Sequence, residues 1–83
     1  MKIYNYITAI ILNYNSSNET IRLFQLLKKF YKGINIIVVD NNSNPNEVEI
    51  LKTLDEQNII FNNKNLGYAG GNNIGIKKAI KED

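Results

Sequence analysis

Three polar stretches of this 83-residue chain carry the side chains best suited to binding chemistry. They are "NYN" at 13–15, "DNNS" at 40–43 and "NNKNLGYAGG" at 62–71, and each follows an apolar run. Asp40 comes directly after one such run, where its carboxylate can accept a hydrogen bond from a ligand N–H or a ribose hydroxyl. The same carboxylate can instead accept backbone N–H groups of its own loop. Both interpretations stay open on position alone.

The "NYN" stretch has two interpretations as well. Asn13, Tyr14 and Asn15 can form a polar turn with the tyrosine packed against a neighbouring helix, or an amide and aromatic pair beside a planar ligand.

The glycine-rich stretch precedes an apolar, helix-like segment. Gly67 suits a turn with positive φ, and Gly70 and Gly71 would let the backbone approach a ligand closely. The amino end of the helix that follows would favour phosphate. However, the stretch contains neither G-x-G-x-x-G nor a G-K-[ST] pair, so a plain strand-to-helix turn stays open. We expect Gly75 only to let the last helix pack close to a sheet.

Composition excludes several classes of site. The chain has no cysteine and no histidine, which excludes disulfides, thiolate or imidazole metal sites and Cys/His or Ser/His nucleophile pairs within it. The formal charge is +2, and the sequence lacks the basic stripe interleaved with aromatic residues that would predict a nucleic-acid surface. No apolar run approaches the ~20 residues of a transmembrane helix.

The elements that must position these stretches alternate along the chain. Apolar runs predict strands over 3–12, 34–39 and 59–61. A first helix should follow a capping box of Ser16 and Glu19, with Ser17 or Asn18 as alternative caps, and stop at Gly33. A second should begin after Asn44 with Pro45 and run to about Gln57, and a third should run from Gly71 or Asn72 to about Lys81.

This order is β-α-β-α-β-α, which predicts one α/β domain over residues 1–83, with a three-layer, Rossmann-like parallel sheet covered by helices on both faces. In open sheets of this kind, ligands bind outside the carboxyl ends of the strands. We therefore expect the three polar stretches to lie on one edge of the sheet.

Three segments together resemble the N-terminal portion of family 2 glycosyltransferases: "IILNYNSSNET", "IIVVDNNSNPNEVEIL" and "NNKNLGYAGGNNIGIKKAI", at 10–20, 36–51 and 62–80. The resemblance is nearest to the rhamnosyltransferase-like branch that builds bacterial surface polysaccharides. It implies a partial GT-A fold and an inverting enzyme that uses a nucleoside diphosphate sugar and a divalent metal.

The resemblance also implies roles for residues. Asn13, Tyr14 and Asn15 would border the base and ribose, Asp40 would receive the N–H of a pyrimidine base, and its neighbours would shape that pocket. UDP and dTDP fit such a base contact better than GDP. The implied nucleotide-sugar site thus comprises Asn13, Tyr14, Asn15, Asp40, Asn41, Asn42, Ser43, Asn65, Gly67, Tyr68, Gly70, Gly71, Asn72 and Asn73.

The chain departs from the family after its third helix. It ends before the Asp-x-Asp-like strand that holds Mn²⁺ or Mg²⁺ and before the general base, and we assign Glu82 and Asp83 to chain-end charge rather than to metal. We therefore expect no catalytic residue, metal or cofactor in this chain, with Mn²⁺ or Mg²⁺ only in the full-length enzyme, and no transfer activity by these residues alone.

The alternative function is a stand-alone, non-catalytic nucleotide-binding or interaction module. A cytoplasmic location is expected, with a membrane-peripheral one left open for the full-length enzyme. We also expect a homodimer through the bare edge of strand one, because unpaired apolar strand edges pair with other chains.

Overall fold

The computed structural model describes residues 3–54 and 57–82, without the side chains of Ile3 and Glu82, so the predicted chain-end charge of Asp83 lies outside the described residues. After a 3₁₀ turn at Ile3–Tyr6, the chain forms β1 (Thr8–Asn13), α1 (Ser17–Phe30), β2 (Asn35–Asp40), α2 (Pro45–Leu51), β3 (Ile59–Phe61) and α3 (Gly67–Glu82).

The three strands form one parallel sheet in the order β1-β2-β3. Thr8 lies opposite Asn35 and Asn13 opposite Asp40, while Val38 lies opposite Ile59. The central strand is buried from Ile36 to Asp40, which explains its unbroken apolar run.

Alternate residues of the strands pack against different helices, because successive strand side chains point to opposite faces of the sheet. On one face, Ile11 and Val38 belong to a buried cluster with Phe24 of α1 and Leu51 of α2. This cluster is the main hydrophobic core, and Val38 and Leu51 are wholly buried in it.

Helix α3 covers the other face. A Cβ added at Gly75 would lie 2.6 Å from Ile10 Cγ2 and 3.1 Å from Val39 Cγ2, so the helix backbone lies directly on β1 and β2. The predicted three-layer α/β fold is confirmed, as is the predicted packing role of Gly75.

The amino-terminal end differs from the prediction. Residues 3–6 form a 3₁₀ turn rather than part of the first strand. The partner strand β2 begins only at Asn35, opposite Thr8, so earlier residues have no strand to pair with. Tyr4 instead packs its ring edge-on against Tyr31, with centroids 5.2 Å apart.

The first helix begins and stops as predicted, but its cap differs. The Ser16 side chain makes no capping hydrogen bond and donates to Tyr14 O at 3.3 Å, so the predicted capping box is wrong. Gly33 has φ +93°, which confirms its role in ending the helical segment.

The other two helices have different bounds from those predicted. Helix α2 ends at Leu51, because the backbone tightens into i→i+3 turns at Thr53 and Leu54. Helix α3 begins at Gly67, four residues before the earliest predicted start at Gly71, so most of the glycine-rich stretch is helical. None of the helices described here has the length and apolar character needed to cross a bilayer.

Candidate functional site

The carboxyl ends of the three strands meet at one edge of the sheet, as predicted. We call this edge the rim: the end of β1 with its loop (13–16), the end of β2 with its loop (40–44), and the loop after β3 with the start of α3 (62–73). The backbone also joins the strand ends, since the N–H of Asn41 donates to Asn13 O at 2.9 Å and that of Asn62 to Asp40 O at 2.9 Å.

Asp40 is 1% exposed and makes short hydrogen bonds within the protein. Its Oδ1 accepts from Asn13 Nδ2 at 2.9 Å and from Ser43 Oγ at 2.6 Å, and its Oδ2 accepts from the Ser43 N–H at 3.1 Å. The carboxylate therefore closes its own loop and joins β1 to β2. A base N–H would have to displace these partners or share their acceptor, so direct contact with a base stays a prediction.

Asn13 lies beside Asp40 and is completely buried. Its Oδ1 accepts from Thr20 Oγ1 at 2.6 Å, and its Nδ2 donates to Ser17 Oγ at 3.2 Å and to Ser43 Oγ at 3.4 Å. The amide thus connects β1, α1 and the loop after β2. It is enclosed by protein rather than presented to a ligand.

Asn15 fastens the first loop to the second. Its N–H donates to Ser43 Oγ at 2.8 Å, and its Oδ1 accepts from the Asn44 N–H at 2.8 Å. Asn15 has φ 52° and Asn42 has φ 66°, a left-handed conformation that asparagine tolerates better than most residues. The asparagines of these loops therefore have a clear conformational role.

The start of α1 is capped from another helix. Glu47 Oε1 accepts from the Ser17 N–H at 2.9 Å, and Ser17 Oγ donates to Glu47 O at 2.8 Å. Reading the sequence missed Ser17, Thr20 and Glu47 as residues of the site's support. The available signal was a pair of hydroxyl residues, three apart, on the buried face of an amphipathic helix.

Asn41 holds the third loop on the α3 side of the sheet. It is 2% exposed, and its Nδ2 donates to Gly67 O at 2.9 Å. Its Oδ1 accepts from the Leu66 N–H at 3.2 Å and from Asn62 Nδ2 at 3.1 Å. One amide therefore sets the position at which α3 begins.

The glycines at the start of α3 have separable roles. Gly67 has φ +75°, which confirms the predicted turn, and its N–H donates to Asn65 Oδ1 at 2.7 Å. A Cβ added at Gly71 would lie 2.5 Å from Leu12 Cδ1 and 2.9 Å from Asn41 Nδ2. The group that lies close to the Gly71 backbone is therefore the sheet. A Cβ added at Gly70 would meet only Leu66 Cβ, at 3.0 Å.

The solvent-facing part of the rim is aromatic and amide-rich. Tyr14 is 49% exposed and Tyr68 is 80% exposed, the first following β1 and the second lying in the first turn of α3. Of the remaining predicted site residues, Asn42, Asn65 and Asn73 are exposed and Asn72 is half-buried. These side chains, rather than Asp40 and Asn13, are available to a ligand in this structure.

The described residues offer little for a metal. No group of three or more histidine, cysteine, aspartate or glutamate residues within 3–54 and 57–82 could hold a metal ion. Every buried side-chain nitrogen and oxygen in that part of the chain has a hydrogen-bond partner. The described residues therefore do not fit a bound metal.

Two grooves lie away from the rim. A groove of about 550 Å³ runs beside α3 and β3, lined by Ile60, Ile74, Lys77, Lys78, Ile80 and Lys81. A second, of about 290 Å³, includes Thr8 and Asn35, the first residues of β1 and β2. None of the predicted site residues lines either of these two grooves.

Two comparisons with known proteins both point to glycosyltransferases. Residues 8–82 match the family model of glycosyl transferase family 2. The chain is also 32% identical over 76 residues to the low-salt glycan biosynthesis hexosyltransferase Agl10 of Haloferax volcanii. That similarity covers 92% of this chain but 24% of the relative, so the chain spans about a quarter of the relative's length. No solved structure matches the chain significantly.

Proposed function

The chain belongs to glycosyl transferase family 2, and from that membership we propose that its rim binds the nucleoside diphosphate of a sugar donor. The observation that carries this proposal is that residues 41–44 join three loops through hydrogen bonds that they donate and accept. These bonds hold exposed rings and amides along one edge of a parallel sheet. Pre-organised groups at such an edge are well suited to orient a ligand.

We assign the base to the two exposed tyrosines of the rim. Tyr14 and Tyr68 present large ring faces to solvent, and aromatic faces stack on planar bases without needing a particular hydrogen-bond pattern. The predicted contact between Asp40 and a pyrimidine N–H, which favours UDP or dTDP as the nucleotide, remains part of the proposal.

We assign the diphosphate to the amino end of α3. This helix has 16 residues, starts at the rim and carries no acidic residue in its first turn. Its dipole therefore favours an anion at that end. The Gly67 N–H is already bound to Asn65, so the ligand must use other groups of that turn or displace the asparagine.

For these 83 residues by themselves, we propose donor binding without transfer. Transfer needs a group that activates the acceptor hydroxyl and a charge partner for the leaving diphosphate. Asp40 at the rim is 1% exposed, and Glu47 of α2 is engaged with the start of α1. For a full-length enzyme we propose inverting transfer in the rhamnosyltransferase-like branch, serving surface polysaccharide synthesis, with Mn²⁺ or Mg²⁺.

We further propose a cytoplasmic location and self-association through β1. In the sheet described, β1 pairs with β2 along one edge only. The other edge presents backbone groups that can pair with a second chain.

A titration tests the binding proposal directly. We expect UDP and dTDP, added to the ¹⁵N-labelled chain, to shift the amide resonances of residues 65–73 and of Tyr14 in a saturable way, and GDP to do so less. Shifts confined to the groove beside α3, or no saturable shift with any of the three nucleotides, would contradict the proposal.

A further inference from the structure

Thr20 is 5% exposed and is not part of the rim, yet its hydroxyl begins a chain of hydrogen bonds that ends there. Thr20 Oγ1 donates to Asn13 Oδ1 at 2.6 Å. An asparagine amide has one oxygen acceptor and one NH₂ donor. With its oxygen bound to Thr20, the Asn13 NH₂ is left to donate to Asp40 Oδ1 at 2.9 Å and to Ser17 Oγ, also in α1, at 3.2 Å.

The same chain continues into the loop after β2. Ser43 Oγ donates to Asp40 Oδ1 at 2.6 Å, which leaves the oxygen of Ser43 to accept the Asn15 N–H at 2.8 Å. Every donor in this series of hydrogen bonds is matched to an acceptor. If the Asn13 amide were reversed, its oxygen would face the Asp40 carboxylate, and two acceptors would meet without a proton between them.

We infer that Thr20 is a positioning residue for the rim, which acts through Asn13, Asp40 and Ser43 on the conformation of the loop that carries Tyr14. The inference rests on the proposed function for the identity of the ligand, a nucleoside diphosphate. Thr20 itself contacts no ligand. Its hydroxyl supplies the donor that the Asn13 oxygen needs in the amide orientation that Asp40 requires, which is the orientation that keeps the first two loops joined.

Two substitutions separate the hydroxyl from the shape of the side chain. Thr20→Val keeps the branched shape and removes the donor, whereas Thr20→Ser keeps the donor and removes a methyl group. We expect Thr20→Val to weaken UDP binding about 3- to 10-fold, the range of one net hydrogen bond. We expect Thr20→Ser to bind as the parent chain does, even where it lowers stability.

Thr53→Val is a matched control, because it makes the same replacement of a donating hydroxyl by a methyl group at another place. Thr53 Oγ1 donates to Ile50 O at 2.7 Å at the end of α2, outside the rim. This variant should leave the dissociation constant for UDP unchanged. All affinities refer to the folded fraction, measured at a temperature where each variant is more than nine-tenths native by far-UV circular dichroism.

A second readout needs no ligand. In ¹H–¹⁵N spectra of the free chain, Thr20→Val should shift the side-chain NH₂ of Asn13 and the backbone amide of Asn15, and Thr20→Ser should shift them far less. Equal shifts in the two variants, or unchanged resonances in Thr20→Val, overturn the inference.

The two readouts distinguish the possible failures. If the parent chain binds none of UDP, dTDP and GDP, but Thr20→Val alone moves the Asn15 amide, the proposed function fails and the positioning role stands. If the parent chain binds UDP and Thr20→Val binds it equally well, the positioning role is overturned and the proposed function stands.

Discussion

Asp40 and Asn41 are consecutive in the chain, but their side chains secure opposite sides of the sheet. Asp40 bonds to Asn13 and Ser43 on the side of α1 and α2, while Asn41 bonds to the backbone of Leu66 and Gly67 at the start of α3. The alternation of side chains along an extended backbone produces this division. The end of the central strand therefore holds the loops of all three strands.

Replacing Asn41 should loosen the start of α3. Asn41→Ala removes the partners of Leu66 N–H and Gly67 O, and a lost buried hydrogen-bonding group costs about 1–3 kcal/mol. We expect a lower free energy of unfolding in urea and faster hydrogen exchange at residues 66–71. Asn35→Ala is the control, because exposed Asn35 makes one side-chain bond, to Asn5 O at 3.2 Å, at the other end of the sheet. Equal losses of unfolding free energy in the two variants would contradict the role of Asn41 in holding the start of α3.

A methyl group at Gly71 should destabilise the domain through overpacking. It would meet Leu12 Cδ1 at 2.5 Å and Asn41 Nδ2 at 2.9 Å, and such insertions cost about 1–3 kcal/mol. Gly67→Ala is a useful contrast, since a Cβ there meets nothing within 4 Å and the strain comes only from φ +75°. In thermal unfolding, Gly67→Asn should recover part of the stability lost in Gly67→Ala. Gly71→Asn should be at least as destabilised as Gly71→Ala.

Removing the exposed rings of the rim should weaken nucleotide binding with little loss of stability. For Tyr68→Ala and Tyr14→Ala we expect a loss of about 1–3 kcal/mol in affinity for UDP, the range measured for base stacking on aromatic side chains. Phe30→Ala, which removes a 63% exposed ring at the far end of α1, should not change the affinity. Parent-like affinity in both tyrosine variants would exclude stacking on these rings.

The stability of the domain should depend strongly on Leu51. This side chain is completely buried in the cluster under the sheet, and truncation to alanine leaves a cavity that costs about 2–5 kcal/mol. In a domain of this size that loss is a large part of the total stability. Leu23→Ala, at a leucine that is 45% exposed, should change the urea midpoint much less. The two midpoints would coincide if Leu51 were not part of the core.

A lysine on the free edge of β1 should reduce self-association. Thr8 is exposed at the start of the strand, and a charged side chain there opposes strand pairing between chains. Sedimentation equilibrium over a range of concentrations should show association in the parent chain and less in Thr8→Lys. Thr53→Lys adds the same charge away from that edge and should associate as the parent does. A parent chain that stays monomeric at all concentrations would contradict the proposed homodimer.

Much of the fold could be predicted from patterns that act locally. The unbroken apolar run before Asp40 predicts a strand buried on both faces, and β3 at Ile59–Phe61 lies where its apolar run predicted it. Pro45 begins α2 because its fixed φ suits the first position of a helix. The meeting of the three polar stretches at one edge follows from parallel strand order alone.

Other features could not be predicted, because they depend on partners distant in sequence. The first strand begins at Thr8, since β2 offers no residue before Asn35 to pair with it. Glu47 rather than Glu19 caps α1, because α2 packs against the start of that helix. Helix α3 begins at Gly67, since Asn41 and Asn65 supply acceptors for the Leu66 and Gly67 N–H groups.

The sequence by itself thus determined the order of the elements, the parallel α/β class, the edge where the polar stretches meet and the family resemblance. Only the tertiary structure decided which of those polar residues face solvent and which support the others. Asp40 and Asn13 are enclosed by hydrogen bonds across 27 residues of sequence, while Tyr14 and Tyr68 remain exposed. The physical reason is that a buried polar group must find a partner, and the identity of that partner is set by packing rather than by sequence neighbours.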